Sequence, residues 1–407
     1  ADKSPAPLTT LSFDMECISS PIKEYLALRK QKVDRFPKAT DKTNSVVIIS
    51  FVVATADGRS IVVSLQLNDI HGSTAVLHQR TSFHSQGLDI NHDHFLVPNE
   101  QLLITMFRDF IVFYDPDIIS SYNGDGFDWP YLFARMHQVQ HATLRRPPDD
   151  YLYMRFYYLG RLTWQPTWQI WTACLEEQSR YIPVFNERER KANKAVQYRN
   201  MPYGHYSTFA GAVFTPPIPG RTPCDVLSLV KLLGKSNSYY VFERYTLKNV
   251  CDRLLAKRKF NKLDTNLFGY WHRTDREDDP QNPGQLVLPQ EQRRRLAQYC
   301  IVDAMCPMFI IIDNGLEKFM QVLSQTTGAT LQKVINAGKT AQIMPMFIRE
   351  AWSESRKWVC NTNSEGSREY IGGLVIPPFP QSLAGVEQPT TADLLPFEEQ
   401  AKVNTTY

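Results

Sequence analysis

Apolar residues recur with a period of two in the first part of the chain and with a helical period further on. Leu8 to Asp14 alternates as a strand does, and Val46 to Thr55 and Ser60 to Gln66 are rich in β-branched residues, with Asp57-Gly58 between them as a hairpin turn. This predicts an early antiparallel meander. Residues 20–45 are polar with scattered charge and read as an exposed loop.

The period then changes. Leu102, Leu103, Met106, Phe107, Phe110 and Ile111 line one face of a helix from Glu100 to Tyr114, which Asp115-Pro116-Asp117 ends. Ile118 to Tyr122 reads as a short buried strand, and a further helix starts near Pro130, a residue suited to a first turn. Residues 144–222 carry the least pattern and read as an irregular insertion with a hairpin. Helices are expected at Cys224 to Leu233, Thr246 to Leu255, Gln290 to Asp313 and Leu331 to Trp352, with 264–288 as a loop and the last fifty residues turn-rich. A meander followed by alternating strand and helix predicts an α/β fold, a mixed sheet flanked by helices.

Composition adds little to this picture. At 407 residues the chain is long enough for two or three units, and 43% hydrophobic residues can build a sizeable core. A net charge of +3 does not by itself point to nucleic acid. Cys17, Cys174, Cys224, Cys251, Cys300, Cys306 and Cys360 have no C-x-x-C spacing and read as reduced, mostly buried thiols of an intracellular protein. No apolar run reads as long enough to span a membrane. The start at Ala1, without an initiator Met or a signal profile, suggests a piece of something longer.

The chemistry lies in three separated segments. In Phe13-Asp14-Met15-Glu16, strand alternation puts both acids on one face, where they repel unless a cation lies between them. Hard cations such as Mg²⁺ or Mn²⁺ suit carboxylates. In Tyr122-Asn123-Gly124-Asp125-Gly126-Phe127-Asp128-Trp129-Pro130, a strand enters a Gly-rich turn and a helix. Phe127 is expected to anchor that turn in the core and to leave Asp128 at the helix start. In Tyr299-Cys300-Ile301-Val302-Asp303, Tyr299 and Asp303 share a helix face within a heavily apolar segment, where an acid needs a partner. Each segment alone also has a plainer reading: an acidic strand surface, an N-cap with a turn-forming Asn, and a surface acid.

Taken in order, the segments resemble the three exonuclease motifs of family B DNA polymerases, within the DEDD exonuclease superfamily and its tyrosine branch. Ser12 to Cys17, Phe36-Pro37, Asp115 to Ile119, Tyr245-Thr246-Leu247 and Tyr299 to Ala304 all look like delta-type or herpesvirus-type polymerases. The similarity covers about 1–350, outside 165–215. The resemblance implies a ribonuclease H-like sheet and a proofreading 3′→5′ exonuclease acting on single-stranded or frayed DNA. It implies two Mg²⁺ or Mn²⁺ ions held by Asp14, Glu16, Asp128 and Asp303, with Tyr299 holding the attacking water. It makes Met15, Asn123 and Phe127 candidates for contacting the terminal nucleotide. It further implies an exonuclease domain over 1–315, a helical connector over 316–360, and over 361–407 a truncated or divergent start of the palm, led by Tyr370-Ile371-Gly372-Gly373. The implied partners are DNA, the remainder of the polymerase, and a processivity factor or accessory subunits, in a nucleus or a viral replication compartment, with no membrane. Polymerisation is not expected of this chain, because no further palm or fingers motif follows. Two rival readings remain: a stand-alone DEDD-type exoribonuclease, and a non-catalytic scaffold remnant of a polymerase.

Overall fold

The computed structural model describes residues 6–18, 39, 44–68, 74–143, 159–161, 205–208, 211–214, 218–263, 277–279, 282–287, 289–336 and 339–353. Its strands are β1 (Thr10–Cys17), β2 (Val46–Ala54), β3 (Ser60–Leu67), β4 (Leu77–Ser85), β5 (Leu88–Val97), β6 (Ile118–Ser121), β7 (His205–Thr208), β8 (Gly211–Phe214), β9 (Thr222–Asp225), β10 (Glu277–Asp279) and β11 (Asn282–Val287). Its helices are α1 (Glu100–Tyr114), α2 (Asp128–Thr143), α3 (Val226–Gly234), α4 (Leu247–Leu254), α5 (Pro289–Asp313), α6 (Leu316–Thr327), α7 (Leu331–Asn336) and α8 (Lys339–Ser353).

Seven strands form one mixed sheet in the order β4-β5-β3-β2-β1-β6-β9. The meander β1-β2-β3 is antiparallel, and Gly58 takes the positive φ its turn requires. β6 then pairs parallel to β1, and β9 parallel to β6. The carboxyl ends of β1, β6 and β9 therefore share one edge of the sheet, the edge at which open α/β folds hold ligands.

Both faces of the sheet are covered. Phe13, Met15 and Phe51 point to one side and pack with Leu103, Phe107 and Trp129 of α1 and α2. Phe13 meets the Trp129 ring edge-on at 4.9 Å. On the other side α5 crosses β1 and β2 and sets Leu296, Ala297 and Cys300 against Val47 and Ile48. α3 and α4 join that layer through Val230, Val250 and Leu254. A buried ion pair ties the first layer together. Glu100 accepts the Val46 amide at 2.7 Å and the Arg135 guanidinium at 2.8 and 2.6 Å.

Several boundaries differ from expectation. β1 continues to Cys17, so Glu16 lies within the strand as Asp14 does, rather than beyond an end at Asp14. Cys224 belongs to β9; the helix starts only at Val226, because Asp225 caps it. β4 and β5 have no counterpart in the periodicity reading, and short strands pair within 264–288. Leu331–Asn336 and Lys339–Ser353 are assigned as two helices where one was expected. The hairpin expected in the insertion corresponds to β7 and β8. Phe36-Pro37 and the segment from Tyr370 lie outside the described residues.

Contrary to the membrane expectation, Arg293–Asp313 is long and apolar enough by length and composition to cross one. That stretch is 72% buried within the protein, as a core helix of a sheet layer would be. Cys17, Cys224, Cys251, Cys300 and Cys306 are buried free thiols.

Candidate active site

β1 supplies the first two acids. Alternation sends Phe13 and Met15 into the core and turns Asp14 and Glu16 toward the α5 layer. Asp14, Glu16 and Cys300 each offer a ligand atom, and these atoms lie within 4.8 Å of one another. The Cys300 thiol donates to the Asp14 carbonyl at 3.4 Å, fixing α5 against the strand.

The loop after β6 supplies the third acid. Asn123 adopts φ +65°, and its carbonyl accepts the Gly126 and Phe127 amides at 3.0 and 2.9 Å. Glycine leaves room at both points of closest approach. A Cβ on Gly124 would fall 1.7 Å from Ser121 Oγ, and one on Gly126 would fall 2.6 Å from Asn123 Oδ1. The compact turn delivers Asp128 as the first residue of α2, only 3% exposed. Its carboxylate faces the same site, since Asp14 and Glu16 both interact with it electrostatically.

α5 supplies the fourth acid. Tyr299 and Asp303 lie one helical turn apart, and the Tyr299 hydroxyl donates to the Asp303 carboxylate. Asp303 is 4% exposed, and its Oδ1 is buried without a hydrogen-bond partner among the described residues. Its Oδ2 holds the Lys262 ammonium at 2.5 Å. Lys262 Nζ also lies 4.7 Å from the centre of the Tyr299 ring.

The electrostatics follow from confinement. Burial, then repulsion from Asp303, pushes the Asp14 carboxyl up to about 8. Glu16 is raised by burial and by Asp14 and Asp303, and Asp128 by burial, Asp14 and Asp225. Burial works against the charge of Lys262, yet attraction to Asp303, Asp14 and Glu16 outweighs it and raises its pKa. Burial and the neighbouring acids push the Tyr299 phenol far above its ordinary range, so it stays a donor. The protein thus gathers carboxylates that disfavour one another and leaves one buried oxygen without a partner. Divalent cations fit this donor set: Lys262 already occupies part of the role with a single charge.

The structure brings Asp14, Glu16, Asp128, Tyr299 and Asp303 into one site. Met15 is a correction: it was placed against the terminal base, but it is 4% exposed, in the core on the opposite face. Phe127 is only partly buried, and Trp129, at 1% exposed, is the anchor of the turn instead. Asn123 is exposed beside the acids. Arg258 is paired with Asp313 at 2.6 and 2.5 Å and stacks on Phe309. Lys262 is the residue that periodicity missed. Its only sequence signal is the need of an acidic cluster for a basic neighbour.

Residues 1–167 match the family described as DNA polymerase family B, exonuclease domain. That stretch contains Asp14, Glu16 and Asp128, the acids of the strand and the glycine turn. Relatives extend the similarity across the remaining motif. The DNA polymerase delta catalytic subunit of Dictyostelium discoideum is 24% identical over 93% of this chain, and that of Drosophila melanogaster 25% identical over 92%. A DNA polymerase of guinea pig cytomegalovirus is 26% identical over 62% of the chain and 21% of its own length. The chain spans 26% of the length of each delta subunit. Among solved structures, the family B DNA polymerase of Pyrobaculum calidifontis aligns with a TM-score of 0.43 at 18% identity, over 88% of this chain and 30% of that one. Exonuclease domains of this family use divalent metals, in keeping with the acidic group at Asp14 and Glu16.

Proposed function

We propose that this chain is the 3′→5′ exodeoxyribonuclease part of a replicative polymerase, removing terminal nucleotides from single-stranded or frayed DNA 3′ ends. The observation that carries the reading is the meeting of Asp14, Glu16, Asp128 and Asp303 from a strand, a loop and a helix, with Tyr299 and Lys262 against Asp303.

Asp14, Glu16, Asp128 and Asp303 would hold two divalent ions, Mg²⁺ or Mn²⁺. Such ions supply a water acidified toward hydroxide and charge stabilisation at the leaving 3′ oxygen. The chain's own groups do the rest. Tyr299 keeps its proton and orients a water by its hydroxyl. Lys262 offers a fixed positive charge where the pentacoordinate phosphate gathers negative charge. Asn123 and Phe127 border the turn that ends at Asp128, and they are the proposed contacts to the terminal nucleotide. Only a separated strand can bring its end among acids this enclosed, and a mismatch lowers the cost of separation. The remainder of the polymerase, a processivity factor or accessory subunits would present that end, in a nucleus or a viral replication compartment.

The test is stepwise shortening of 5′-labelled single-stranded DNA and RNA, and of duplexes with matched or mismatched 3′ ends. The expected result is Mg²⁺-dependent loss from the 3′ end, faster on DNA than RNA and faster on the mismatch. A preference for RNA would favour a stand-alone exoribonuclease, and an inert protein would favour a scaffold remnant.

A further inference from the structure

Asp225 closes β9, 2% exposed, beside the loop that carries Asn123 and Asp128. A structural ion pair is the plain expectation for such an acid. Its contacts are different. Oδ1 accepts the Leu227 amide at 3.0 Å and Oδ2 the Ser228 hydroxyl at 3.2 Å, as a helix cap does. A third contact has no capping purpose: Oδ1 also accepts the backbone N–H of Asn123 at 2.8 Å, from 102 positions away.

Asn123 holds a left-handed φ of +65°, which Asn tolerates better than most residues with a side chain but which still costs more than it would for glycine. The same turn folds the Asn123 side chain over Gly126, where a Cβ would fall 2.6 Å from its Oδ1, and leaves Asn123 exposed. The register pairs Ser121 with Asp225, so β9 brings the carboxylate to the loop at the last rung of the sheet.

We propose that Asp225 is a positioning residue for the substrate-binding loop: its carboxylate locks Asn123 in the left-handed turn and so sets the surface that Asn123 and Phe127 present to a single-stranded DNA 3′ end. It acts through the loop and touches neither substrate nor reacting atoms. The assignment rests on the nuclease reading above.

Asp225→Ser separates the two jobs. Serine caps a helix well, but it is too short to hold Leu227 and Asn123 together. Four measurements on the full chain follow the variant. They are anisotropy of a single-stranded oligodeoxynucleotide in Ca²⁺, hydrolysis kinetics in Mg²⁺, Mn²⁺ calorimetry, and hydrogen exchange of the Asn123 amide. The expected result is faster exchange at Asn123, with Kd and KM both rising about tenfold, the scale of one lost charge-assisted hydrogen bond. The expected kcat stays within about threefold and the same number of Mn²⁺ ions binds, because the acids are not moved, although Asp128 loses one repulsive neighbour. In an Asn123→Gly background, where glycine takes the turn unaided, Asp225→Ser should add no further loss of DNA affinity.

Wild-type Kd and KM in Asp225→Ser, losses that add to those of Asn123→Gly, or a fall in kcat and Mn²⁺ binding at constant KM would each overturn the proposal. If Asp225→Ser does not fold, Asp225→Asn keeps the acceptor and the volume. It should bind and cut within about twofold of wild type, and a tenfold loss there overturns the proposal. A wild-type protein that neither binds nor cuts DNA would sink the nuclease reading itself. Unchanged exchange at Asn123 in Asp225→Ser would sink the positioning role independently.

Discussion

Asp14 and Lys262 carry opposite halves of one electrostatic problem. With its carboxyl held at about 8 against an ordinary 3.8, Asp14 binds its proton more tightly in the folded metal-free protein than in the unfolded chain. The stability it contributes is fully present below the unfolded value and is lost as pH rises toward the folded one. Thermal melts in EDTA should therefore show Tm falling between about pH 4 and about pH 8. Asp14→Asn should flatten that decline and raise Tm at the upper end by about 2–4 °C. Lys262→Met should behave in the opposite sense. It removes the cation from Asp303, so the metal-free protein should lose stability on the order of 1–3 kcal/mol, measured by urea unfolding. Its hydrolysis rate at saturating Mg²⁺ should drop roughly a hundredfold, measured on single-stranded DNA. The acids were legible in the sequence because each spacing has a geometric meaning. Asp14 and Glu16 are two apart on a strand, Tyr299 and Asp303 four apart on a helix, and Asp128 follows a glycine turn into a helix. Lys262 sits in the non-periodic stretch Asn261-Lys262-Leu263 and reaches the site only through tertiary packing, which no local pattern encodes. Met15 was misplaced for the reason that placed its neighbours well: alternation sends it to the other face.

At the scale of elements, α1 was legible to the residue because its apolar stripe is bounded by Asn99, whose side chain accepts the Leu102 amide, and by left-handed Asp115. β4 was not, because an exposed edge strand of mixed His, Arg, Thr and Ser leaves Leu77 and Phe83 as its main apolar marks. The end of β9 was absorbed into a helix, since Thr222-Pro223-Cys224-Asp225 carries too little apolar pattern to mark a strand and only Asp225 marks the boundary with α3. What holds α1, α2 and β2 in register is the Glu100–Arg135 pair, with side chains 8% and 3% exposed. A buried charge that loses its partner is strongly unfavourable, whatever the net contribution of the pair. Arg135→Ala is thus expected to destabilise the protein by about 3–5 kcal/mol in urea unfolding. Replacing both residues by apolar ones should recover much of that loss. Metal binding by the double variant at temperatures below its transition should be unaltered, because the pair lies on the core side of the sheet.

At the scale of the molecule, three segments far apart in the chain supply one site because the sheet order places β1 between β2 and β6 and lays α5 across β1 and β2. The enclosure that raises the pKa values of the acids is also what makes a cation favourable among them. Titration of the metal-free protein with Mn²⁺ by calorimetry, at a pH of about 8 where Asp14 is about half-ionised, tests this most directly. Wild type should bind two ions per chain with release of protons, and Asp14→Ala should lose that binding while keeping its melting transition. Absence of Mn²⁺ binding by the folded wild-type protein, or binding that Asp14→Ala leaves intact, would contradict the account.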